Sequence, residues 1–174
     1  MTPRNPVPAV WLMTDERMGE ALWAALRRLP PGAGVVFRHY ATPPATRRRL
    51  LRRVRRIATA RRLKLVVAGE APAGMRRHGR GPAAWSWPAH DRRQAIAGWR
   101  AGARVFFVSP VFATRSHPDA EPIGPLRAAR IARGLGPAVA LGGMTARRWR
   151  RVRRLFAGWA AIDAWVGPER GSSG

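Results

Sequence analysis

The sequence predicts an α/β fold, a (β/α)8 TIM barrel that is trimmed on its helical side. Short and almost continuously apolar runs alternate with amphipathic segments, as buried parallel strands alternate with covering helices. We count about eight such runs, the number of strands in a closed barrel of this type. The 174 residues of the chain are fewer than the roughly 200 that such barrels ordinarily need, so some helices must be reduced or missing.

The first half of the chain predicts three strands and two helices. The apolar runs that predict strands span residues 9–15, 34–40 and 63–69. Apolar residues recur at helical spacing over 18–29, and again over 46–62, where Leu50, Leu51, Val54 and Ile57 share one face. Both helices would therefore cover the strands with one apolar face and turn the other face to solvent.

The second half predicts the remaining elements and the places where helices are lost. Residues 70–90 are predicted to hold two short strands and no helix. The strands predicted after them span 104–112, 137–144 and 158–165. The predicted helices are 91–103 with Asp91 as its cap, 124–136, and one that is capped by Thr145. We expect Trp85, Trp87, Trp99 and Trp149 to fill the core where helices are lost. The predicted domain organisation is an N-terminal tail (1–8), one barrel (9–166) and a disordered tail (167–174).

The composition is strongly basic and rich in arginine. The chain has 33 Lys and Arg against 9 Asp and Glu, a net charge of +24, and Lys64 is its only lysine. A coding sequence of high GC content would produce such an arginine bias. The arginine-rich segments 46–62 and 145–157 keep apolar residues at helical spacing, so we interpret them as solvated helix faces. No specific nucleic-acid partner is expected, although weak and salt-sensitive binding to polyanions is.

Several classes of protein are disfavoured by what the sequence lacks. There is no cysteine, so disulfides, thiolate metal sites and a cysteine nucleophile are excluded. No apolar run approaches the length of a membrane helix, and residues 1–10 do not follow the pattern of a signal peptide. We therefore expect a cytoplasmic protein without a membrane partner.

Polar residues cluster after the predicted strands, where barrels of this class place their chemistry. The residues expected at these strand ends are Asp15, Glu16, Arg38, Tyr40, His90, Thr114, Ser116, His117, Gly142, Gly143 and Asp163. The segment "LGGMT" presents backbone amides before a helix, an arrangement that suits a phosphate. Hydroxyl groups of the loop after 104–112 would lie over the same mouth and could bind a ligand.

Three segments that include these residues follow one another in the chain: "LMTDER" (12–17), "AGARVFFVSPVFATRSHPDAEPIG" (101–124) and "PAVALGGMT" (137–145). Taken in this order, they resemble the thiamine phosphate synthase / TenI family. The resemblance implies a transferase of thiamine biosynthesis that couples hydroxymethylpyrimidine pyrophosphate to thiazole phosphate with Mg2+. A sister branch of the family, the TenI-like thiazole tautomerases, moves protons on the thiazole phosphate and needs no pyrophosphate site.

The resemblance also implies roles for individual residues. It implies catalytic roles for His90, as a TenI-like acid and base, and for Arg38; the substrate-binding residues that it implies are Arg38, Thr114, Arg115, Ser116, His117, Gly142, Gly143 and Ile162. Arg38 would stand at a strand end in an apolar barrel, where it needs a charged partner, either Asp15 or Asp163.

The chain departs from the family pattern at the positions that would hold the metal. The two Mg2+ ligands are replaced by Gly69 and Gly81, the serine that binds thiazole phosphate by Asp163, and a motif lysine by Tyr40. Four hypotheses stay open: a synthase with an altered site, a thiazole tautomerase, a non-catalytic relative that binds a ligand or partner, and a basic nucleic-acid-associated protein, which the net charge alone supports. The expected ligand is a phosphorylated small molecule; no cofactor is certain, and self-association is left open.

Overall fold

A computed structural model of the chain describes residues 7–114 and 119–165, apart from the side chain of Asp163. Eight parallel strands form a closed barrel in chain order, and β8 pairs with β1. The strands are β1 (Val10–Met13), β2 (Gly34–Phe37), β3 (Lys64–Ala68), β4 (Arg76–His78), β5 (Ala84–Ala89), β6 (Val105–Val108), β7 (Ala138–Ala140) and β8 (Gly158–Ala161). The predicted fold class is therefore confirmed.

Five helices cover the outside of the barrel over the described ranges. They are α1 (Ala21–Arg28), α2 (Pro44–Ala60), α3 (Arg92–Arg100), α4 (Pro125–Ile131) and α5 (Ala146–Val152). No helix lies between β3 and β5, as predicted for residues 70–90. The predicted caps are present: Asp91 accepts from the Gln94 amide at 2.8 Å and Thr145 from the Arg148 amide at 3.2 Å. None of these helices has the length and hydropathy required to cross a bilayer.

The last strand is shorter than predicted and is followed by a 3-10 helical turn, Asp163–Trp165. Trp165 turns back and stacks on Trp159 of β8, with ring centroids 5.6 Å apart. The Trp165 ring packs against both of the clusters that lie between the barrel and its helices. It therefore covers the outer wall near β8 and β1, and this packing ends the extended conformation that the apolar run 158–165 predicts.

The lower half of the barrel interior is filled by aromatic rings. Trp11 is fully buried, and its Nε1 donates to the Pro8 carbonyl at 2.7 Å. The Phe107 ring meets it edge-on, with centroids 5.1 Å apart. The Trp11 indole lies against Gly34 of β2, where a Cβ atom would overlap the six-membered ring. Only glycine can therefore pair with β1 at this point without displacing Trp11.

An irregularity in β5 changes which side chains face inward. The pairing of β4 with β5 advances from Arg77 opposite Ala84 to His78 opposite Ser86, so Trp85 is an extra residue, as in a β-bulge. Trp85 packs inside the barrel near Trp11, at a centroid distance of 6.2 Å. The Ser86 hydroxyl, which would otherwise alternate outward, lies 2.9 Å from the Nδ1 atom of the inward-facing His78.

The prediction that Trp99 fills the core is wrong. This side chain is 54% exposed on α3, whereas Trp87 is buried against Gly98 of the same helix. Helix α3 meets β5 through Ala95 and Gly98, which are buried. Trp99, the next residue, is rotated by about 100° around the helix axis and therefore lies outside the interface between α3 and β5.

We expect Gly34→Ala to lower the free energy of unfolding by more than about 3 kcal/mol, because Trp11 cannot move away within a filled barrel. Urea unfolding followed by tryptophan fluorescence measures the change. The double variant Trp11→Phe/Gly34→Ala should recover at least about 1 kcal/mol, because the smaller ring makes room for the methyl group. An unchanged urea midpoint for Gly34→Ala would contradict this description of the core.

Candidate functional site

A cavity of about 350 Å3 opens at the carboxyl ends of the strands. Its walls are mostly apolar, with Met13, Phe107 and Leu141 among them, and its polar members include Arg38, His78, His90 and Thr114. The sequence-predicted site residues that line this cavity are Arg38, His90, Thr114, Gly142, Gly143 and Ile162. The other three predicted residues, Arg115, Ser116 and His117, lie outside the described residues.

Arg38 is held at the end of β2 by the loop that follows β1. Its Nε donates to the Thr14 carbonyl at 3.1 Å, and its Nη2 lies 3.3 Å from Asp15 Oδ2. Asp15 is thus one of the two partners that the sequence proposed. Arg17, which hydrogen-bonds the same carboxylate, is the main cause that holds the pKa of Asp15 below its ordinary value, and Arg38 contributes. The guanidinium of Arg38 is therefore fixed against an ionised partner at the cavity wall.

A buried histidine supports this arrangement from behind. The Thr14 hydroxyl accepts from the Arg38 amide at 3.0 Å and lies 3.1 Å from His39 Nδ1. A hydroxyl oxygen that accepts from the amide can still donate its own proton to His39 Nδ1. The His39 ring stacks on Phe37 at a centroid distance of 4.6 Å, and burial lowers its pKa. The neutral imidazole can thus accept from Thr14 and fix the start of the loop that holds Arg38.

His90 follows β5 and stands immediately before helix α3. Its Nδ1 lies 2.7 Å from the Ser109 carbonyl oxygen. A carbonyl can only accept, so Nδ1 carries the hydrogen, and Nε2 of the neutral ring has a free lone pair. The His90 amide donates to Gln94 Oε1 at 3.1 Å, which holds the main chain at this point. The arrangement provides an oriented proton acceptor at the cavity.

The loop after β7 lines the cavity with three consecutive residues, Gly142, Gly143 and Met144, each of which carries a backbone amide. The φ angles of the two glycines are +93° and +60°. Among the described residues these three amides donate to no protein acceptor. A Cβ atom on Gly143 would overlap the Ala113 carbonyl oxygen, so the close contact with the β6 loop requires glycine. Successive unpaired amides of this kind form an anion-binding concavity.

His78 is a cavity residue that the sequence reasoning missed. It is 4% exposed, its Nδ1 lies 2.9 Å from Ser86 Oγ, and the Phe107 ring meets it edge-on at 5.1 Å. Burial, with a smaller contribution from Arg38, lowers its pKa to about 4. The segment 76–78 is too short for its alternation to show which side faces inward, and the bulge at Trp85 is not visible in the sequence.

The side chains around the cavity do not fit the Mg2+ ion that the resemblance implies. Gly69 and Gly81 have no side-chain donor atoms, and the Tyr40 ring covers Gly69, 3.8 Å from where a Cβ atom would stand. Among the described side chains no three of Asp, Glu or His come together as a metal site would require. The Asp15 carboxylate is already engaged by two arginines. We derive no reaction step through a metal ion.

Comparison with known proteins identifies relatives in sequence and in structure. Residues 83–164 match the family model of thiamine monophosphate synthase. The structure is similar to that of a thiamine phosphate pyrophosphorylase from Pyrococcus furiosus, with a TM-score of 0.76 and 20% identity over 95% of this chain and 90% of that one. No curated protein sequence is similar enough to count as a relative. The structural likeness shows the barrel fold, and the family match contains the strands β5 to β8 in full.

The stability of the protein should decrease as the pH is lowered, because His78 is buried in its neutral form. Its pKa is 6.5 in the unfolded chain and about 4 in the folded protein, so the unfolded state binds the proton first. The contribution is complete above about pH 6.5 and lost towards pH 4, in total about 3 kcal/mol.

Urea unfolding at pH 7 and at pH 4 tests this effect by comparing the parent protein with His78→Phe. His39 acts in the same direction, so the relevant quantity is the difference between the two proteins. We expect the parent to lose about 3 kcal/mol more than the variant. Equal losses would show that His78 titrates alike in both states.

Proposed function

Because residues 83–164 match the family model of thiamine monophosphate synthase, we propose that the cavity of this chain binds a thiazole phosphate and that His90 moves a proton on this ligand. The hydrogen bond from His90 Nδ1 to the Ser109 carbonyl supports this proposal most directly. It leaves Nε2 as the proton acceptor beside a cavity whose side chains do not suit a metal. The proposed reaction is that of the TenI-like branch, a thiazole tautomerisation.

The phosphate group would bind to the amides of Gly142, Gly143 and Met144. The three residues line the cavity, their amides have no protein acceptor in the described ranges, and a phosphate supplies several acceptor oxygens. The heterocycle would lie between apolar residues such as Met13, Phe107 and Leu141. The cavity volume of about 350 Å3 is within the range of small-molecule sites, roughly 300–1,000 Å3.

The proton transfer needs one group that takes a proton from the ring and returns it elsewhere. Nε2 of His90 would remove a proton from one ring position, and the imidazolium would then protonate another, so the enzyme ends unchanged. The Ser109 carbonyl stabilises the imidazolium through the Nδ1 hydrogen bond. Arg38, held by Thr14 and Asp15, would stabilise negative charge that develops on the ligand.

The coupling of hydroxymethylpyrimidine pyrophosphate to thiazole phosphate is the second hypothesis, favoured by the family match. It requires neutralisation of a leaving pyrophosphate, and Gly69 and Gly81 stand where its metal ligands would be. A non-catalytic relative that only binds the ligand is the third. Binding and activity measurements together distinguish the three.

Gly143→Ala should weaken binding of thiazole phosphate at least about 10-fold, because the methyl group displaces the amides that hold the phosphate. Isothermal titration calorimetry with the phosphate and with the corresponding thiazole alcohol measures this loss. The matched control is Gly134→Ala, which has a positive φ of +76° and open space around the Cβ position. The control should bind within about 2-fold of the parent. If Gly143→Ala bound both compounds as the parent does, the phosphate would lie elsewhere.

His90→Gln should lower the tautomerisation rate at least about 100-fold, because an amide can keep the hydrogen bond to Ser109 but cannot move a proton. The affinity for thiazole phosphate should stay within about 2-fold. The assay follows conversion of the thiazole tautomer, with a parallel coupling assay in Mg2+.

Two results would overturn the proposed reaction. Coupling without tautomerisation by the parent would favour the synthase hypothesis. Binding with neither reaction would favour the non-catalytic one.

A further inference from the structure

The acidic residues of the described ranges are segregated to one end of the barrel. The eight that the described ranges contain are Asp15, Glu16, Glu20, Glu70, Asp91, Asp119, Glu121 and Asp163. Each follows the carboxyl end of a strand or stands where the next helix begins. Ion pairs within those ranges involve Arg17 and Arg38 alone, both with Asp15. The described acidic residues therefore do not neutralise the arginines on the outer, helical wall of the barrel, although the net charge of the chain is +24.

Helix α2 presents a continuous cationic surface on this wall, which we call the α2 ridge. Its six exposed arginines are Arg48, Arg49, Arg52, Arg53, Arg55 and Arg56. At about 100° per residue they cover an arc of roughly 160° on the side opposite the buried residues of the helix. They span about 12 Å of helix length. The buried side, Leu51, Val54 and Ala58, packs on the barrel.

The neighbouring Arg47 has a structural role and does not belong to the ridge. Its guanidinium donates to the carbonyls of His39 at 2.9 Å, Ala68 at 2.6 Å and Glu70 at 3.1 Å. It ties the start of α2 to the ends of β2 and β3. Two ridge side chains are ordered on the surface: Arg49 donates to Thr46, and Arg53 lies over the Trp23 ring at 3.8 Å.

We propose that the α2 ridge binds the phosphate backbone of double-stranded DNA without reading its sequence. Guanidinium groups match phosphate geometry, and a row of them that forms no ion pair within the described residues can release the counterions of the duplex. The roughly 12 Å major groove of B-DNA admits a helix, whereas the major groove of duplex RNA is too narrow for side-chain access. The ridge would lie along the groove with arginines reaching the phosphates on both sides.

The composition of the ridge disfavours two other polyanions. Single-stranded nucleic acid is bound through exposed aromatic rings, but Trp23 lies beneath Arg53 and the exposed rings of Tyr40 and Trp99 lie outside α2. A helix at a membrane surface needs an apolar face free for the lipid, and that of α2 is buried against β-strands. The cavity lies at the strand ends and the ridge on the outer wall, so this binding is separate from the proposed function.

The experiment compares two variants with equal net charge. Arg48→Gln/Arg52→Gln/Arg55→Gln/Arg56→Gln removes four arginines of the ridge and keeps Arg53 on Trp23. The control removes four exposed arginines of the α5 region, as Arg147→Gln/Arg150→Gln/Arg151→Gln/Arg153→Gln. Binding to a fluorescent 20-base-pair DNA duplex is measured by anisotropy from 50 to 200 mM NaCl. Urea unfolding establishes that both variants are folded.

The ridge variant should bind at least about 10-fold more weakly than the parent at 100 mM salt, and its slope of log K against log salt should be shallower by about 3 to 4. The control variant should bind within about 3-fold of the parent. Equal losses in the two variants would show that binding follows net charge alone, which overturns the proposal. Tighter binding to single-stranded DNA, or to phosphatidylserine vesicles, than to the duplex would overturn it as well.

Discussion

The barrel depends on the contact between the Trp11 indole and the bare backbone of Gly34. A closed sheet of eight short strands has to be filled from within, and in the part of the chain that the structure describes five helices cover it outside. Trp11, with Trp85 and Phe107 around it, fills the lower half of the interior. Because the large rings end at Phe107, the upper half stays open as the cavity. Packing below thus creates the space for a ligand above, and a side chain at Gly34 would disturb both.

The site combines groups that are held by different parts of the barrel. Arg38 is fixed by the β1 loop, His90 by the β6 loop, and the amides at Gly142 and Gly143 by close contact with that same loop. Each group is positioned by hydrogen bonds or contacts that do not require a ligand, as preorganised sites need. Acidic residues share this end of the protein, but the Asp15 carboxylate is engaged by Arg17 and Arg38. The cationic wall on the outside is separate from this chemistry.

Much of this architecture could be predicted because each strand is an apolar run in the sequence and each helix has apolar residues that recur at helical spacing. The missing helices at 70–90 and the caps Asp91 and Thr145 followed from the same patterns. Residues such as Arg38 and His90 could be placed at one mouth because parallel strands of a barrel end on the same side. His78 was missed because its inward direction depends on the bulge at Trp85. Trp99 was misplaced because hydrophobicity alone does not show which residue of α3 meets the barrel.

The sequence by itself determined the order and class of the elements, the family resemblance and the excess of arginine, since these depend on local composition and spacing. Only the tertiary structure decided that Asp15 holds Arg38, that His39 supports Thr14, and that the acids of the described residues gather at one end. The physical reason is closure of the barrel, which brings together strand ends distant in sequence. Arg38 and Thr14 are 24 residues apart in the chain, yet they share a hydrogen bond at one rim. Neither residue's local sequence specifies that contact.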